Sequence, residues 1–167
     1  QALFRRMLAA NIRPTITTYN ALISSHVKWE RMDEAVRTIE QAKSAGIAPD
    51  AWTYTSLIKG YINGKDFAAA KAVWRDMLSS GMKPTPVSYS VMIDCAIQEG
   101  DMAQAHNLLD IMHAQGEHPS AITFNTLLRA CVARDNSWLG EAMRILDQME
   151  QANVIPATDT FNMLMSA

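Results

Sequence analysis

Five side chains able to hydrogen-bond stand directly behind an aromatic ring. Asn20, Thr55, Ser90, Asn125 and Asn162 follow Tyr19, Tyr54, Tyr89, Phe124 and Phe161. An amide both donates and accepts hydrogen bonds, which is what reading a polar edge requires. Asn is also a mediocre residue for a helix interior, so helix propensity does not explain Asn20 and Asn125. Other chemistry is poorly supplied. His26, His106, His113 and His118 form no ligand set, because even His106 and His113 lie seven positions apart. Gly60-Tyr61-Ile62-Asn63-Gly64-Lys65 resembles a phosphate loop one residue too short, with Asp66 where Ser or Thr is needed, and reads as a turn between helices. No Ser/His/Asp or Cys/His grouping rises above chance. Neither an enzyme, a metal site nor a cofactor is expected.

The elements that must position these side chains repeat with them. Thr18-Tyr19-Asn20-Ala21-Leu22-Ile23 recurs as Thr53 to Ile58, Ser88 to Ile93, Thr123 to Leu128 and Thr160 to Met165. The rings are separated by 54 − 19 = 35, 89 − 54 = 35, 124 − 89 = 35 and 161 − 124 = 37 residues. A fixed period of this size predicts stacked units, each burying its apolar face on the next. Residues 16–50, 51–85, 86–120 and 121–157 form four repeats, the last with a two-residue insertion placed in the turn around Asp135-Asn136-Ser137-Trp138. Residues 1–15 read as the second half of a repeat, with Leu3, Phe4, Met7 and Leu8 at helical spacing. Residues 158–167 begin another.

Each repeat predicts two helices. Tyr19, Leu22, Ile23 and His26 share one face of the first, and Ala35, Val36, Ile39 and Ala42 stripe the second. Between them lies a polar turn at Glu30-Arg31. Ala35, Ala70, Ala105 and Ala142 recur where helices approach closely. Met7, Met77, Met112 and Met149 recur as adaptable core fillers. Gly46, Gly81 and Gly116, with Asn11 and Asn153, stand where a left-handed cap ends the second helix. Pro14, Pro49, Pro84, Pro119 and Pro156 follow three residues later. The fold class is all-α: a right-handed superhelical α-solenoid of helix–turn–helix repeats of about 35 residues, with a concave inner face.

Composition limits the partners. The 167 residues carry a formal charge of −2 and a sequence pI near 6.1, which argues against a broadly basic, charge-driven binder of nucleic acid. Cys95 and Cys131 are the only cysteines and sit in apolar helices, so packing in a reduced compartment is expected rather than a disulfide scaffold. No apolar run is long enough to span a bilayer, and no membrane partner is expected. The text opens inside a helix-like segment without a Met and reads as a piece of a longer array, with any targeting segment outside it.

The order Thr-aromatic-Asn/Thr/Ser, Leu-Ile, Ala, Met, Gly and Pro, at this period, resembles the pentatricopeptide repeat family, in its P type. The tetratricopeptide pattern of Trp, Leu-Gly and Tyr at a period of about 34 is not met. The resemblance implies an RNA-binding solenoid of mitochondria or chloroplasts, in which one repeat reads roughly one base of a single strand. It implies that the residue after the ring and the residue after the closing proline read the base. Those pairs are Asn20 with Asp50, Thr55 with Thr85, Ser90 with Ser120 and Asn125 with Ala157, while Asn162 has no partner in the text. The first pair matches the family's combination for uracil, with the carboxylate fixing which way the amide points. It implies further that Thr17, Trp52, Val87 and Ile122 wedge between bases. Lys28 would approach phosphate, although its counterparts are Asn63, Gln98 and Ala133. Only Asp50 supplies the Asp or Asn usual at the second reading position, so purine preference is at best loosely set in the second and third repeats.

Plainer roles compete. Thr15, Asp50, Thr85 and Ser120 are good helix N-caps, and capping and base reading are compatible in one residue. Trp52 suits packing on the adjacent unit as well as it suits stacking on a base. The alternative function is a scaffold that grips proteins or structured RNA inside an organellar ribosome or transcription assembly, with little base-specific readout.

Overall fold

The computed structural model describes residues 2–132, 138–156 and 158–165. Ala133 to Ser137 and Ala157 lie outside the described residues, as do the side chains of Leu3, Leu8 and Trp138. Among the described residues every regular element is a helix. The chain divides into two compact units, Gln1–Pro84 and Thr85–Ala167.

The first unit holds α1 (Ala2–Ala9), α2 (Ile16–Lys28), α3 (Met32–Ser44), α4 (Ala51–Asn63) and α5 (Phe67–Ser79). α2 packs on α3 and α4 on α5, and α4 also packs against α2 and α3. Ile23, Ala35, Ile39 and Leu57 make a core that Val27, Met32 and Val73 flank. Burying an Ile or Leu side chain stabilises by about 1.5–3 kcal/mol. Phe4 of α1 meets the Tyr19 ring edge-on, with centroids 5.6 Å apart. The second unit holds α6 (Pro86–Glu99), α7 (Met102–Ala114), α8 (Ala121–Val132), α9 (Trp138–Gln151) and α10 (Thr158–Met165). α6 packs on α7 and α8 on α9, while α8 also touches α6 and α10. Trp138, expected in the inter-helix turn, is instead the first residue of α9.

The small residues do what their spacing predicts. Ala35, Ala70 and Ala105 are completely buried and Ala142 nearly so. Met77, Met112 and Met149 are also completely buried, and Met7 is half-buried. Cys95 and Cys131 are buried among the helices.

The second helix of each repeat ends as its Gly or Asn predicts. Gly46, Gly81 and Gly116 have φ of 76°, 75° and 77°, and Asn11 and Asn153 have 57° and 54°. The next N–H reaches back five residues, as in Ile47 to the Ala42 carbonyl at 2.9 Å. The first helices α2, α4 and α6 end the same way, which the sequence announces only at Gly100. Glu30, Lys65 and Gly100 take φ of 55°, 58° and 89°, and the Arg31, Asp66 and Asp101 amides reach back to His26, Tyr61 and Ala96. The Gly60-to-Lys65 stretch is therefore only partly turn: Gly60 to Asn63 complete α4, and Gly64 and Lys65 make the reversal.

Candidate functional site

The residues behind the rings lie on the first helices, and the side chains of Asn20, Ser90 and Asn125 meet the following repeat. The first helices α2, α4, α6 and α8 each open on a residue whose partner, three residues on, is the hydroxyl residue immediately before the ring. At α4, Asp50 Oδ1 accepts from the Thr53 amide at 2.8 Å, and the Asp50 amide donates to Thr53 Oγ1 at 3.2 Å. This reciprocal arrangement satisfies two otherwise orphaned donors. At α6, Thr85 Oγ1 accepts from the Ser88 amide at 3.2 Å. At α8, Ser120 Oγ accepts from the Thr123 amide at 3.4 Å. At α2, the Thr15 amide donates to Thr18 Oγ1 at 3.2 Å. The expected capping role of the post-proline residues is thus present at Asp50, Thr85 and Ser120, while at α2 the side-chain contact runs from the Thr15 amide to Thr18.

At Asp50 capping and orientation coincide. Asn20 Nδ2 donates to both Asp50 carboxylate oxygens, at 3.2 and 3.1 Å. Thr53 Oγ1 stands 2.7 Å from Asn20 Oδ1 and 2.8 Å from Asp50 Oδ1. A carboxylate can only accept, so the nitrogen of the amide must face Asp50 and its oxygen must face Thr53. Asn20 and Asp50, 30 residues apart in sequence, are brought into direct contact and both stay half-buried.

Related contacts occur in the second unit. Ser90 Oγ lies 2.7 Å from Thr123 Oγ1 and also donates to the Pro86 carbonyl at 2.8 Å. Ser120 Oγ lies 3.3 Å from the same Thr123 hydroxyl, so Thr123 links Ser90 and Ser120. Thr160 Oγ1 donates to Asn125 Oδ1 at 2.8 Å. Thr55 Oγ1 donates to the Ala51 carbonyl of its own helix at 2.6 Å. Asn162 is exposed on α10, and Ala157 lies outside the described residues.

The expected wedges face outward. Trp52, Val87 and Ile122 are 47%, 64% and 74% exposed. Thr17 is exposed too. Lys28 is exposed at the end of α2, as are its counterparts Asn63 and Gln98. Ala133 lies outside the described residues.

The hydroxyl residues before the rings, left unassigned in the sequence, contact the residues behind the preceding rings at three places. Thr53, Ser88, Thr123 and Thr160 are no more than 1% exposed, although they are polar. Their signal was present: a Thr or Ser stands there in all five copies of the stretch. Among the described residues no group of His, Cys, Asp and Glu could hold a metal ion, and no helix is long and apolar enough to cross a membrane.

The PPR repeat family model matches residues 14–63, 55–98 and 86–133, together more than half of the chain. The chain belongs to the PPR repeat family. It is similar to the crystal structure of the pentatricopeptide repeat protein PPR10 from maize, with TM-score 0.80 and 26% identity over 98% of this chain. The match spans 23% of that protein, so this PPR chain corresponds to about a quarter of its length. PPR10 in complex with an 18-nt psaJ RNA element matches 91% of the chain at 25% identity and TM-score 0.76, covering 22% of PPR10. The PPR domain of Arabidopsis thaliana protein-only RNase P 1, in complex with tRNA, matches 99% of the chain and 86% of that domain. Its TM-score is 0.74 at 15% identity, a likeness of fold alone. No curated protein sequence matches.

Proposed function

We propose that this chain is a single-stranded RNA-binding array of organellar RNA metabolism, serving transcript stabilisation, processing or translation, with one base per repeat. The observation that carries the reading is the Asn20–Asp50–Thr53 cluster. An amide of fixed direction, half-exposed against α4, the helix that carries the outward-facing Trp52, is suited to a base edge in the way that side-chain readout of single strands requires. The similarity to PPR10, a protein crystallised with an RNA element, supports it. Trp52 supplies a stacking face, worth about 1–3 kcal/mol per base. The role is binding rather than catalysis.

Selection of single-stranded RNA from a random pool tests the reading, with Asn20→Ala as the control. The expected result is enrichment of uracil at one position, lost in the variant. A second reading, a scaffold within an organellar assembly, is favoured by the formal charge of −2 and by Asn63 and Gln98 standing where Lys28 has its counterparts. An unenriched pool, together with stoichiometric protein partners on purification, would establish the scaffold instead. Import of the full-length protein fused to a fluorescent reporter tests the organellar assignment.

A further inference from the structure

We infer that the buried hydroxyl before the ring is a positioning residue for the preceding repeat, so that a base is read by a junction of two repeats rather than by one. The inference rests on the RNA-reading proposal and specifies how its reading side chain is aimed. Three junctions show the contact: Thr53 on Asn20, Thr123 on Ser90 and Thr160 on Asn125. The two partners are 33, 33 and 35 residues apart, so the contact advances with the repeat and absorbs the insertion.

At the first junction the hydroxyl does more than pack. Without it, Asn20 Oδ1 loses the hydroxyl at 2.7 Å that holds the amide plane together with Asp50. With it, one N–H of Asn20 is committed to the carboxylate and one lone pair to Thr53, leaving one donor and one acceptor in a fixed order. Uracil and cytosine present donor and acceptor in opposite orders along their pairing edges, so the fixed order separates them. Asn125 has the hydroxyl contact but faces Ala157 in sequence rather than a carboxylate, so Thr160 is its sole identified orienting group.

Thr53 also belongs to the N-terminal cap of α4, and that structural part is separable. Thr18 occupies the same place at α2 and bonds the Thr15 amide, while Asn20 is held by Asp50 and Thr53. Thr18→Val therefore removes a capping contact without removing any contact that orients Asn20, and Thr53→Val removes both kinds.

The experiment compares the unaltered chain with Thr53→Val, Thr53→Ser and Thr18→Val. One readout is the discrimination between uracil and cytosine at the base assigned to the first repeat, on an otherwise constant single-stranded RNA. The other is hydrogen exchange of the Asn20 side-chain amide by NMR. Thr53→Val is expected to cut the discrimination about two- to tenfold, the worth of one net hydrogen bond, and to speed exchange. Thr53→Ser should restore both, and Thr18→Val should change neither. Unchanged discrimination and exchange in Thr53→Val would overturn the inference, as would an equal loss in Thr18→Val. If the unaltered chain binds no RNA while Asn20 exchange still follows Thr53, the positioning contact stands and the RNA reading falls.

Discussion

At the scale of single residues the decisive contrast is between two asparagines in equivalent places. Asn20 faces a carboxylate at 3.1 Å, whereas Asn125 faces the Thr160 hydroxyl at 2.8 Å. Asn20→Asp sets two carboxylates against each other in a half-buried junction, and like charges there are poorly screened. It should destabilise the chain by about 1–3 kcal/mol, the cost of a buried polar group losing its partner. Asn125→Asp keeps an acceptor for Thr160 and should cost under about 1 kcal/mol. Urea unfolding of both variants checks this, and equal losses would mean that Asp50 does not restrain Asn20. The Asn20–Asp50 contact was legible in the sequence because both residues carry a recognisable repeat position. The part played by Thr53 was not. A Thr opening a helix is already accounted for by its own N-terminus, and only coordinates show that the hydroxyl also reaches back 33 residues.

At the scale of helices, the ends explain what was legible and what was hidden. Gly or Asn marks the end of every second helix because left-handed backbone selects those residues. α2 and α4 end in the same conformation on Glu30 and Lys65, residues with no such preference, and so gave no signal, whereas α6 ends on Gly100. The difference is measurable. Gly81 has φ of 75° and open space where a Cβ would go, so Gly81→Ala meets backbone strain alone. Its cost should be about 1–2 kcal/mol. Lys65→Gly relieves the same strain at φ 58° and should stabilise by up to about 1 kcal/mol after the added chain entropy. Thermal or urea midpoints moving in opposite directions for the two variants is the expected result. A Lys65→Gly midpoint below that of the unaltered chain would show that the side chain, not the backbone, holds that turn.

At the scale of the whole molecule, charge sets two responses that the repeat pattern alone does not reveal. The first is to alkali. Burial, and then Asp66 and Asp33, raise the Tyr61 hydroxyl above its ordinary pKa of 10.0. Burial, and then Glu117, raise that of Tyr89, whose hydroxyl donates to Gln115 at 2.8 Å. Both favour the neutral phenol in the folded chain. Their contribution is complete below the unfolded value and is lost as pH climbs from about 10 through the raised folded values. Stability measured across that range should fall, and Tyr61→Phe should flatten part of the fall. A profile identical to that of the unaltered chain would remove Tyr61 from the account.

The second response is to salt, and it bears on the partner. Fifteen Lys and Arg against seventeen Asp and Glu give little net attraction for a polyanion. A binder relying on charge would release one counterion per phosphate contact, with a slope near −0.7 for each contact on a single strand. Among the described residues Lys28 is the one basic side chain at its repeat position, since Asn63 and Gln98 are neutral, and the proposed RNA reading sets it toward phosphate. If the polar groups at Asn20, Ser90 and Asn125 and the exposed faces of Trp52, Val87 and Ile122 carry the interaction, log affinity against log salt should have a slope of about −1 or shallower. Lys28→Gln should remove most of that slope while leaving base preference intact. A slope of about −3 or steeper would mean that basic side chains elsewhere grip the backbone, and base reading at the repeat junctions would then be a minor part of the affinity.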